Sequence, residues 1–92
     1  MACYIIGCAL NSPGSDYVEF VEAIERVGSA AWPCLDSTWV LNSDKTASQI
    51  RDELKQYLCP SDELIVAELT GTAAWRGLKG GSAEAFKAVL AG

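Results

Sequence analysis

The chain has 92 residues, half of them apolar, with 12 acidic and 7 basic side chains and a net charge of -5. That length carries one domain with a modest core, near the size at which self-association commonly supplies further buried surface, and the apolar half excludes a disordered tail. The acidic balance disfavours general nucleic-acid binding unless the cations gather on one face, and with no histidine and no C-x-x-C spacing there are no ligands for a compact zinc site and no base for a Cys-His dyad.

In chain order, "ACYIIGCAL" at 2 to 10 is a continuous apolar run that predicts a buried strand, and "NSPGSD" collects turn formers after it. A helix follows. Tyr17, Phe20, Val21, Ile24 and Val27 fall on one stripe, Asp16 and Glu19 have capping-box spacing, and Gly28 can end it. Residues 30 to 42 read as extended chain holding two strands. Asp36-Ser37 is the best turn pair between them, since both side chains can hydrogen-bond their own backbone at a tight bend. Beyond that bend Trp39 and Leu41 share one strand face, with Val40 and Asn42 on the other. Thr46 and Gln49 then have capping-box spacing ahead of a helix whose apolar face is Ala47, Ile50, Leu54, Tyr57 and Leu58, and Pro60 stops it. "DELIVAELT" at 62 to 70 is another buried-type strand. The resulting β-α-β-β-α-β order is ferredoxin-like, a two-layer α+β sandwich. Residues 71 to 92 form a C-terminal extension: "GLKGG" at 77 to 81 is a flexible connector, with no phosphate-loop spacing, to a last short helix from about Ser82 to Leu90.

Cys3, Cys8, Cys34 and Cys59 read as reduced thiols, and the spacing of Cys3 and Cys8 on one strand puts them on opposite faces, so they cannot pair with each other. No basic region precedes the N-terminal apolar run, and no run reaches the roughly 20 apolar residues of a membrane span. A cytoplasmic protein without membrane association is expected.

The stretches "LDSTWVL", "DELIVAELTG" and "AAWRG" together resemble the SinR-like proteins of bacteria. These form a branch of the superfamily that holds the small CRISPR-associated adaptation endonucleases and the virulence-associated protein D ribonucleases. The resemblance spans residues 2 to 78. It implies a ferredoxin-like fold, a homodimer, and, in the nuclease members, an aspartate at the end of the first strand that binds a divalent metal between subunits. Here that position is Ala9. A magnesium ion needs oxygen ligands, usually one or two carboxylates, and a methyl group supplies none. The expectation is therefore a binding or assembly protein without catalysis and without a cofactor. The alternative is a magnesium-dependent endoribonuclease or endodeoxyribonuclease that uses other residues, with Asn11, Asp36 and Ser37 as the weak candidates.

Lys45, Arg51 and Lys55 could form a basic stripe for a phosphate or an acidic protein partner, against the simpler reading of solvated helix surface. The strands give a firmer inference. A two-layer sheet carries helices on one face only, yet both faces of the first and last strands are apolar, so something must cover the second face. The cover is the C-terminal extension, with Trp75, Leu78, Phe86, Val89 and Leu90, or a second subunit, or both. Tyr4, Ile6, Trp39 and Trp75 are the residues expected at the subunit interface.

Overall fold

The computed structural model describes residues 2-11, 17-78 and 80-91. Seven elements run in the order β1 (Ala2–Ala9), α1 (Val18–Val27), β2 (Ser29–Leu35), β3 (Thr38–Ser43), α2 (Ala47–Lys55), β4 (Glu63–Leu69) and α3 (Ser82–Ala91). The strands form one 4-stranded sheet in the order β2-β3-β1-β4, antiparallel at every junction. The fold is α+β.

Register assigns each side chain its face. Tyr4 stands opposite Leu41 and Glu68, and Ile6 opposite Trp39 and Val66, whereas Ile5 stands opposite Val40 and Ala67 and Gly7 opposite Ile65. Because side chains alternate along a strand, the first set shares one face and the second set the other. Helices α1 and α2 cover the first face. Tyr4, Ile6, Trp39 and Leu41 pack there against Phe20, Ala23, Ile24 and Val27 of α1 and Ile50 and Leu54 of α2, with Phe20 meeting Trp39 edge-to-face at 6.2 Å. Tyr4, Ile6 and Trp39, expected at the subunit interface, are instead buried in the core of the single chain.

Local chemistry sets the helix ends. Thr46 and Gln49 close both halves of the expected capping box, the Thr46 side chain accepting from the Gln49 N–H and the Gln49 side chain from the Thr46 N–H. The box expected from Asp16 and Glu19 involves Asp16, outside the described residues, and the N-cap of α1 is Tyr17, whose φ of 56° is left-handed. At the other end of α1, Gly28 is needed for proximity rather than for a special φ: a Cβ there would lie 2.2 Å from the Asn42 carbonyl oxygen. The Ser43 hydroxyl donates to the Val27 carbonyl at 2.7 Å, satisfying an acceptor that the end of the helix leaves open.

The C-terminal residues cover half of the second face. Phe86 and Val89 of α3 bury Cys3, Cys34 and Val40, with Ile5, Leu69, Trp75, Leu78 and Leu90 around them, and Trp75 stacks on Phe86 at 5.2 Å. Trp75 thus packs within its own chain. The helix lies over β2 and β3, fixed by bonds from Trp32 Nε1 to Ser82 Oγ and from Asn42 Nδ2 to the Val89 carbonyl, both 2.8 Å.

Candidate functional site

Two sheet margins bear on function, and the residues singled out from the sequence lie around the first of them and along α2, apart from the second. The first is the end of the sheet where β1 stops. Ala9 stands opposite Glu63 there, and just beyond it the Asn11 N–H donates to Asp62 Oδ1 at 2.7 Å while Asn11 Nδ2 donates to the Ser61 carbonyl at 3.1 Å. Asp62 gathers the neighbouring loops: Oδ1 also accepts the Tyr17 hydroxyl at 2.8 Å, and Oδ2 accepts the Cys59 N–H at 2.8 Å. The Asp62 N–H returns a bond to the Cys59 carbonyl at 2.9 Å. That reciprocal pair makes Cys59-Pro60-Ser61-Asp62 a tight turn with proline at its favoured second place. Asn11 is thereby a clasp between β1 and the start of β4, and its amide donates to the backbone.

The β2–β3 turn is made by Asp36 and Ser37. Among the described hydrogen bonds neither side chain takes part. The Ser37 carbonyl does the work instead, accepting the Cys8 N–H at 3.0 Å and the Cys8 thiol at 3.3 Å, so the turn is held by β1 rather than by its own hydroxyl and carboxylate. Burial raises the Cys8 thiol above its ordinary value, and the Asp62 charge adds to it. Both the burial and the bond that the thiol donates to Ser37 disfavour the thiolate. Asp36 and Ser37 line an open groove of about 700 Å³ against Gly77, Leu78 and Ser82. Since β1 separates β3 from β4, the structure leaves Asn11 on one side of β1 and Asp36 and Ser37 on the other. No cluster of His, Cys, Asp or Glu able to hold a metal occurs among the described residues.

The basic stripe divides. Lys45 precedes α2 and lines a groove with Arg26, Gly28 and Asp44, while Arg51 and Lys55 lie further along the helix, paired with Asp52 at 3.0 and 3.5 Å. The Arg51 hydrogen bond, with the charges of Arg51 and Lys55, holds the Asp52 carboxyl below its usual range. Arg51 and Lys55 also border a groove of about 570 Å³ between α2 and β4, floored by Leu58, Pro60 and Leu64.

The second region is β4 itself. Among the described residues β4 hydrogen-bonds to β1 alone, so its outer edge of N–H and C=O groups is open. Ile65, 69% exposed, and Ala67 stand on the face that α3 leaves bare. The opposite edge of the sheet is protected: β2 contains Pro33 and two register shifts against β3, devices that disrupt edge pairing. The sequence pattern had marked β4 as apolar on both faces, but only the sheet order shows that it is an edge. No helix of the described residues is long and apolar enough to cross a membrane. No family model, curated protein or solved structure matches the chain.

Proposed function

We propose that this chain is a ferredoxin-like assembly domain of the cytoplasm that works as a homodimer, binds through its exposed sheet surface and performs no catalysis. The strand order β2-β3-β1-β4 supports the ferredoxin-like reading, and the SinR-like resemblance of residues 2 to 78 implies the dimer. The free, exposed thiol of Cys59 suits a reducing compartment. The non-catalytic reading draws on Ala9, which offers no oxygen where the related nucleases place their metal ligand, and on Asp62, whose carboxylate is already engaged by Asn11, Tyr17 and Cys59.

The observation that carries the assembly reading is the exposed Ile65 on an unguarded edge strand. An open edge with an aliphatic side chain beside it is a template for pairing with another chain. Sedimentation velocity across the micromolar range tests it. A species at twice the 9.8 kDa monomer mass is expected, and a monomer at every concentration overturns the proposal.

A further inference from the structure

The β4 segment reads "ELIVAEL" from Glu63 to Leu69, and it is close to self-complementary when turned end for end. We infer that two copies of this chain join by antiparallel pairing of β4 with β4 about a two-fold axis at Val66, making one continuous eight-stranded sheet. This rests on the homodimer proposed above and specifies its interface. A two-fold axis normal to a sheet pairs each residue with one on the same face. Centred on Val66, it sets Ile65 against the partner's Ala67, Leu64 against the partner's Glu68, and Glu63 against the partner's Leu69.

Three features favour that register. Each glutamate of β4 faces an aliphatic side chain, so no like charges stand directly opposed. Ile65 and Ala67, both exposed in the single chain, meet their counterparts in one apolar strip on the face that α3 leaves bare. On the helical face Leu64 floors the groove bordered by Arg51 and Lys55, so the partner's Glu68, laid against Leu64, arrives at the two cations. By symmetry each subunit supplies one such groove and one such carboxylate.

Neither neighbouring register keeps Glu68 against Leu64, and each adds a cost. Sliding the partner by two residues in one direction sets Asp62 against the partner's Glu68, two carboxylates on one face. Sliding it the other way carries Glu63 opposite the partner's Gly71, whose φ of 102° leaves the extended conformation that pairing needs.

The test begins in a Cys59→Ser background, which removes the exposed native thiol. Ile65→Cys and Ala67→Cys variants are oxidised separately and as a mixture. In the Val66 register the two positions are directly opposed, roughly 4.5–5.5 Å apart at Cβ, whereas identical positions are diagonal at about 7–8 Å, too far for a disulfide. The mixture should therefore cross-link and the single variants should not. Ile65→Lys and Glu68→Lys should both convert the dimer to a 9.8 kDa monomer with unchanged far-ultraviolet circular dichroism, while Leu35→Lys, on the protected edge, should leave the dimer intact. A wild-type dimer that survives Ile65→Lys overturns the β4 interface and spares the assembly reading. Self-cross-linking of Ile65→Cys overturns the register, and a monomeric wild type overturns both proposals.

Discussion

Asn42 Nδ2 donates to the Val89 carbonyl at 2.8 Å, joining the end of β3 to the last turn of α3 across 47 residues of chain. The bond is buried, and Val89 is 1% exposed, so water cannot replace the lost donor. Asn42→Ala should cost about 1–3 kcal/mol, read as a lower urea midpoint. Loosening should concentrate in α3, visible as faster amide exchange there than in α1. A variant with wild-type stability would show that the contact contributes nothing net.

Gly28 and Gly7 make a contrasting pair. A Cβ on Gly28 would drive into the Asn42 carbonyl oxygen and the Leu41 side chain, whereas one on Gly7 would meet nothing within 4 Å. Backbone oxygen cannot rotate away, so Gly28→Ala should destabilise by about 1–3 kcal/mol, the usual range for overpacking. Gly7→Ala should be neutral or stabilising by up to about 1 kcal/mol, through the reduced freedom of the unfolded chain. Chemical denaturation of the two variants side by side gives the comparison, and equal losses would contradict it.

Stability should fall under alkaline conditions. Burial raises the Cys8 and Cys34 thiols above 9.0 and the Tyr4 phenol above 10.0, with the Asp62 charge adding at Cys8 and Glu68 at Tyr4. The folded protein keeps these protons at a pH where the unfolded chain has released them. The contribution is therefore complete below pH 9.0 for the thiols and below pH 10.0 for the phenol, and it is lost as pH rises through the folded values. Urea midpoints between pH 7 and pH 11 should decline from about pH 9 upward. Tyr4→Phe should remove the part of that slope above pH 10 while lowering the starting value, because the hydroxyl bond to the Lys45 carbonyl at 2.7 Å goes with it. A midpoint that climbs above pH 9 would contradict the sign.

Ala9 stands directly opposite Glu63, so Ala9→Asp would place two carboxylates side by side at the end of the sheet. The wild type should leave labelled single-stranded and double-stranded RNA and DNA intact with magnesium or manganese. The variant should gain a divalent-metal binding signal by calorimetry. Chelator-sensitive cleavage by the wild type would replace the non-catalytic reading with a nuclease.

The strands, the helices, the position of the Asp36-Ser37 bend and the Thr46-Gln49 box were all legible in the residues, because each has a local signal, namely alternation, a 3.6-residue stripe, turn-forming residue types or a cap. The bend, however, is held by bonds from Cys8 and not by its own side chains. The period-2 alternation also told which residues share a face. It could not tell which face lies under α1 and α2, since both faces are apolar, so the pattern alone allows Tyr4, Ile6 and Trp39 to be core or interface. Asp62 carries no local signal of its role. Its partner Asn11 is 51 residues away, and only the folded chain brings the start of β4 to the end of β1. The division of Lys45 from Arg51 and Lys55 likewise follows from where α2 begins relative to the sheet.

The attachment of α3 has a consequence for how the molecule breathes. The helix follows Gly77, Gly80 and Gly81, two of them at positive φ, and is held by side-chain contacts and a few hydrogen bonds rather than by a strand ladder. Such a segment should open below the free energy of global unfolding. Lifting of the helix should bring Cys3 and Cys34, which pack beneath Phe86 and Val89, into solvent ahead of global unfolding, whereas Cys59 is exposed in the closed chain. The thiols are thus a built-in clock: Cys59 gives the rate of chemistry at a free sulfhydryl, and the slower modification of Cys3 and Cys34 measures how often the tail lets go.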